Sequence, residues 1–228
     1  MTHSSLVVFD LDGTLVDTAP DLIGALNVVL AGEGLSPVPA QSARKMIGAG
    51  ARALIERGLE RDGRMVDAGK LARMTEDFIA YYAEHIAVES RPFDGLVEAL
   101  DVLEARGCRF AVCTNKLEWL SKRLLDRLNL SPRFAAICGA DTFNISKPDP
   151  AFLRQTVARA GGELAATVMV GDAGPDIGVA RRAGVPVIGV DYGYTDVPVR
   201  DLSPDVVISR LSDLPAAVEL IGSRRAAR

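Results

Sequence analysis

Four short segments of the sequence set reactive side chains directly after apolar runs. They read Phe9-Asp10-Leu11-Asp12-Gly13-Thr14-Leu15, Cys113-Thr114-Asn115-Lys116, Ile145-Ser146-Lys147-Pro148-Asp149-Pro150 and Val170-Gly171-Asp172-Ala173-Gly174-Pro175-Asp176. Ligands of an open α/β sheet collect beyond the carboxyl ends of its strands. If each preceding run is a strand, one sheet edge receives the carboxylates of Asp10, Asp12 and Asp172, the Thr114 hydroxyl and the Lys147 ammonium. Two neighbouring carboxyl groups can divide nucleophilic and proton-transfer work, carboxylates suit a hard cation, and a hydroxyl with an ammonium binds anionic oxygens. Each motif alone has a plainer reading. A D-x-D beside a loop glycine is commonly a turn, and a Thr ending a strand is commonly a helix cap. Lys147 alone is a solvated lysine, and Asp176 alone is an acid favoured in a helix's first turn. Their joint occurrence reverses that preference.

The elements that must position these residues are legible as periods. Apolar runs at residues 6–9, 110–113, 135–138, 168–170, 187–190 and 206–208 are too short for helices and predict buried parallel strands. Helical patterns lie between them: Leu96, Leu100 and Leu103 stop at Gly107, Leu120, Leu124 and Leu128 follow Trp119, Phe152 and Val157 stop at Gly161, and Ile177 and Ala180 stop at Gly184. The alternation predicts an α/β fold, a Rossmann-like doubly wound parallel sheet. Residues 18–90 lack a comparable strand run and show three apolar helical faces, on Leu22/Leu26/Val29, Leu54/Ile55/Leu59 and Leu71/Met74/Phe78. The expected division is a catalytic core of residues 1–17 and 91–228 with an α-helical cap, residues 18–90, inserted after strand 1. The crossings at 17–20 and 89–92 are hinge candidates, able to close the cap over a site. The tail from residue 223 is expected to fray.

Composition removes whole classes of function. With 26 Lys+Arg against 30 Asp+Glu, a net charge of −4 and 48% hydrophobic residues, the chain is an ordinary globular sequence. No charge-free apolar run approaches the roughly 18 residues that span a bilayer. The first five residues lack a basic region, so no secretion signal is read and the cytoplasm is the expected location. Cys108, Cys113 and Cys138 have no C-x-x-C spacing and read as reduced core thiols. Without a basic stripe, nucleic acid is not expected as a scaffold partner. The two histidines, His3 and His85, cannot form a paired-histidine zinc helix, and no Walker, G-x-S-x-G or H-E-x-x-H motif is present.

The four segments, in this order and at these strand ends, resemble the haloacid dehalogenase superfamily. That resemblance implies that Asp10 is a nucleophile forming an aspartyl-phosphate, while Asp12 protonates the leaving alcohol and then activates water. It further implies Mg2+ held by Asp10, the backbone carbonyl of Asp12 and Asp172. Thr114 and Lys147 would bind the transferring oxygens with backbone N–H groups of Leu11 and Asn115, and Asp176 would support Lys147 or a water on the cation. Ala173 departs from the Ser that many relatives carry there. Asp12 points to phosphate esters, because the dehalogenases lack an acid at that position.

Resemblance over nearly the whole chain points to the phosphoglycolate phosphatase branch, through Asp21-Leu22-Ile23-Gly24-Ala25-Leu26-Asn27, Ile47-Gly48-Ala49-Gly50 and Asp191-Tyr192-Gly193-Tyr194. Gly48 and Gly50 would let backbone approach a small ligand, and Arg44 or Arg52 would meet its carboxylate. The expected function is Mg2+-dependent hydrolysis of a small phosphorylated metabolite, 2-phosphoglycolate first. The alternatives are a broader sugar-phosphate phosphatase or a phosphomutase of the same superfamily, with a phosphate-ligand sensor behind both.

Overall fold

The computed structural model describes residues 5–195 and 197–226, and His3 lies outside them. All six expected strands form: β1 (Leu6–Phe9), β4 (Arg109–Cys113), β5 (Phe134–Cys138), β6 (Thr167–Gly171), β7 (Val187–Val190) and β8 (Val206–Ile208). They pair in parallel in the order β5-β4-β1-β6-β7-β8. The catalytic candidates therefore follow three adjacent central strands, β4, β1 and β6, with Lys147 reached from the edge strand β5. Side chains alternate across a strand, so β1 sends Val7 and Phe9 into one apolar cluster and Leu6 and Val8 into the other. Burial on both faces explains why these runs are continuously apolar. Phe9 meets Phe110 and Phe134 edge-on at 5.9 and 6.4 Å between ring centres.

Helices α5 (Leu96–Ala105), α6 (Glu118–Arg127) and α9 (Leu214–Ala226) accompany the first cluster, and α7 (Pro150–Arg159) and α8 (Gly174–Ala183) the second. Helix α9 corrects the expected frayed tail: residues 223–226 continue it. The insert contains α1 (Ala19–Gly32), α2 (Ala40–Arg44), α3 (Ala51–Arg61) and α4 (Ala68–Glu84), of which α2 is too short to show a period in the sequence. Leu26, Leu30, Ile55, Phe78 and Tyr82 interlock these helices, and their cluster runs without a break into the sheet's first face. His85 ends α4, stacked on Tyr81 at 4.1 Å. Among the described residues, no helix is long and apolar enough to cross a membrane. Cys113 and Cys138 are buried, Cys108 is half-buried, and all three are free.

The two chain crossings into and out of the insert are joined by a feature too short to read in sequence. Strand β2 (Val16–Asp17) pairs antiparallel with β3 (Arg91–Pro92), Val16 opposite Pro92 and Asp17 opposite Arg91. The buried Asp21 carboxylate accepts the N–H groups of Glu89 and Ser90 at 3.0 and 2.8 Å and the Ser90 hydroxyl at 2.6 Å. One side chain from the first turn of α1 thereby holds the return crossing.

Candidate active site

At the end of β1 the chain turns sharply. The Asp10 N–H still donates to Val170 O at 2.9 Å, while the Leu11 carbonyl accepts from both Leu15 and Val16. Gly13 completes the turn at φ +85°, in the left-handed region, and a Cβ there would stand 2.7 Å from Asp172 Oδ2. Gly193 closes the other side, where a Cβ would lie 2.2 Å from that of Asp172. Between these glycines, Asp172 accepts the Thr14 hydroxyl at 2.8 Å on Oδ1 and the Tyr194 N–H at 2.7 Å on Oδ2. The Thr14 hydroxyl thereby fixes the carboxylate that follows β6.

Lys147 is buried and lies between two carboxylates, its Nζ 2.7 Å from Asp10 Oδ1 and 2.7 Å from Asp176 Oδ1. Its segment is set by Asp149, which caps α7 by accepting the Ala151 N–H at 2.9 Å, with Pro150 in the first helical position. Asp176 Oδ2 accepts the Ala173 N–H at 3.0 Å, one half of a capping box whose other half needs the hydroxyl that Ala173 lacks. Both Asp176 oxygens are therefore engaged, consistent with support of Lys147. Asp10 Oδ1 takes the Lys147 ammonium as its partner.

Burial pushes the Asp10 carboxyl up to about 6 against the lowering effect of Lys147. Burial, reinforced by the charges of Asp176 and Asp10, pushes Asp172 up to about 8. Lys147 moves upward as well: burial opposes its charge, but the Asp10 and Asp176 carboxylates outweigh it. Oxygens of Asp10, Asp172 and Asp176 lie within 4.8 Å of one another. Three carboxylates around a single ammonium, with carboxyls that resist ionisation, form an oxygen-only donor set suited to a divalent cation. The niche they share with Asp12 and Tyr194, about 10 Å³, has room for one water-sized particle.

Asp12 has partners of its own. Its carboxylate takes Lys116 Nζ at 2.8 and 3.1 Å and the Thr18 hydroxyl at 2.7 Å. The sequence assigns Lys116 no role beside Thr114 and Asn115. Its place directly after a strand end was the only signal. Thr114 is buried at the end of β4. The Asn115 side chain accepts the Lys147 N–H at 2.8 Å and donates to the carbonyls of Lys147 and Gly48 at 3.3 Å each. It braces the lysine loop against the insert.

A cavity of about 260 Å³ opens beside Asp10 and Asp12, between the sheet edge and the insert, with Gly48, Gly50, Phe78, Tyr82 and Thr114 among its walls. The two proposed cap arginines separate here. Arg52 lines the cavity but pairs with Glu56 at 3.1 Å, whereas Arg44 is not among its walls. Arg44 lies over the Tyr194 ring and bonds Asp17 at 2.9 Å. Tyr194 itself was missed as a site residue; its N–H holds Asp172 and its hydroxyl bonds Asp17 at 2.5 Å.

Residues 7–190 match the family model described as haloacid dehalogenase-like hydrolase. The chain belongs to the haloacid dehalogenase-like hydrolase family. It is 48% identical over 215 residues to the phosphoglycolate phosphatase of Caulobacter vibrioides, covering 94% of this chain and 91% of that one. The phosphoglycolate phosphatase of Agrobacterium fabrum is 45% identical over 225 residues, covering 98% and 97%. A crystal structure of a predicted phosphoglycolate phosphatase from Haemophilus somnus superimposes with a TM-score of 0.88 at 29% identity, covering 95% of this chain and 99% of that one. The expected α/β fold with an inserted helical unit is therefore a property of this family of hydrolases as well as of this chain.

Proposed function

We propose that this hydrolase converts 2-phosphoglycolate to glycolate and phosphate, with Asp10 as nucleophile and Asp12 as general acid and base. The observation that carries the chemistry is the sharing of one small cavity by two carboxylates with different partners, Lys147 on Asp10 and Lys116 on Asp12. The substrate is supported by the phosphoglycolate phosphatases of Caulobacter and Agrobacterium and by a cavity of about 260 Å³ that admits a two-carbon ester.

In the first step an Asp10 oxygen bonds to phosphorus as the bond to the leaving oxygen breaks, and Asp12 gives that oxygen its proton. In the second step Asp12 takes a proton from water, whose oxygen displaces Asp10 from phosphorus. Lys147 and Thr114 bind the transferring oxygens, and the Asp176 carboxylate keeps the lysine in place. Asp10 and Asp172, with the Asp12 backbone carbonyl, would hold Mg2+. Bound there, the ion offsets the repulsion between an anionic nucleophile and an anionic phosphate. The insert over residues 18–90 is the cap that covers the cavity.

Phosphate release from 2-phosphoglycolate tests this directly. Asp10→Asn is expected to lower kcat/KM by at least about 10³-fold, ~4 kcal/mol of transition-state stabilisation, with the fold retained by circular dichroism. A variant that turns over normally refutes the nucleophile.

A further inference from the structure

The cavity extends away from Asp10 toward the insert, and two features at that end have no part in the two steps above. Lys116 is a lysine whose side chain is only 6% exposed, lying over the Tyr82 ring at 4.5 Å from its centre. Burial opposes its charge, yet the Asp12 carboxylate outweighs that and keeps the ammonium ionised. The Tyr82 hydroxyl on α4 is fully buried; its oxygen faces the Lys116 ammonium, a donor, and its own O–H reaches no acceptor among the described residues. A buried O–H left without an acceptor costs about 1–3 kcal/mol, so an acceptor from outside the protein is the natural complement. Burial pushes this phenol up to about 12, so it remains a donor at neutral pH.

Two cationic side chains line the cavity among the described residues. Arg52 is 61% exposed and already paired with Glu56, an arrangement worth little in water. Lys116 is buried, and the group it holds, Asp12, is the one that must meet the leaving oxygen. In 2-phosphoglycolate a single methylene separates that oxygen from the carboxylate. When the ester oxygen is at Asp12, the carboxylate is therefore within reach of the ammonium that Asp12 binds.

We infer that Lys116, with the Tyr82 hydroxyl, is the carboxylate-reading end of the substrate site, and that binding draws Lys116 from Asp12 to the substrate. This rests on the phosphoglycolate reading. An incoming carboxylate replaces the Asp12 carboxylate as the partner of the buried ammonium and supplies the acceptor that Tyr82 lacks. Asp12 is then released from its bonds at 2.8 and 3.1 Å, takes from solvent the proton it gives in the first step, and turns to the leaving oxygen. An ester without the carboxylate leaves Lys116 on Asp12, so selection acts on turnover as well as on binding. The contact also spans the insert and the sheet edge, since Tyr82 comes from α4 and Lys116 from the segment after β4.

Ethyl phosphate is the matched probe, because it has a methyl group where 2-phosphoglycolate has its carboxylate. The readout is the ratio of kcat/KM for the two esters. Lys116→Met is expected to lower this ratio by about 100-fold or more. Tyr82→Phe removes a hydroxyl that donates to no acceptor in the free protein and keeps the ring under Lys116, so it retains the fold, and it is expected to lower the ratio by about tenfold. A high wild-type ratio that survives both variants overturns the inference, since a residue that only positions Asp12 affects both esters alike. A wild-type ratio near one removes the phosphoglycolate substrate, and the carboxylate reader with it.

Discussion

Asp10 and Asp12 differ in environment because each faces a different lysine, Lys147 beyond β5 and Lys116 after β4. Lys147, inserted between Asp10 and Asp176, is the sole cation within the cluster of Asp10, Asp172 and Asp176. Removing one member of a buried ion pair leaves the other charge uncompensated, which costs about 3–5 kcal/mol. Lys147→Met is accordingly expected to lose about that much unfolding free energy in cation-free buffer at pH 8, measured by urea titration. The loss should shrink toward pH 5.5, where Asp10 and Asp172 take up protons in place of the ammonium. Equal losses at the two pH values would show that the lysine contributes packing rather than charge.

At the level of elements, the insert is attached through two crossings joined by β2, β3 and Asp21. Asp21→Ala removes the acceptor for two backbone N–H groups and the Ser90 hydroxyl. The expected cost is about 3 kcal/mol, seen as a lower denaturation midpoint with an unchanged slope. A loss below about 1 kcal/mol would mean that water takes over these donors. This attachment was illegible in the sequence because two-residue strands have no period and Asp21 reads as an ordinary first-turn acid. The six core strands were legible because burial on both faces makes them unbroken apolar runs, and the strand-end residues followed from them. Arg44 shows the limit of that method. A charge can be placed near a site from sequence, but its partner, here Asp17 held also by Tyr194 from 177 positions away, is set only by the fold.

For the molecule as a whole, the site concentrates negative charge that the fold alone does not balance. Asp10, Asp172 and Asp176 face one ammonium from Lys147, an excess of two negative charges that a single divalent cation matches. Without the cation, protons do part of that work. The folded-state carboxyls at about 6 and about 8 lie above their ordinary value of 3.8, so the folded protein binds more protons than the unfolded chain across that interval. Their contribution to stability is complete below about pH 4 and is lost as pH rises through 6 and then 8. A cation competes with those protons, so its stabilising effect grows over the same window. At 100 times its dissociation constant a ligand adds about 2.7 kcal/mol, which in a chain of this size raises Tm by about 5–10 °C. The Tm increase on adding Mg2+ is therefore expected to reach that range at pH 8.5 and to be less than half as large at pH 6, with Ca2+ and Mn2+ as comparisons for ion selectivity. Asp172→Asn should abolish most of the increase at pH 8.5. An equal or larger increase at pH 6 would place the cation away from the Asp10 and Asp172 carboxylates.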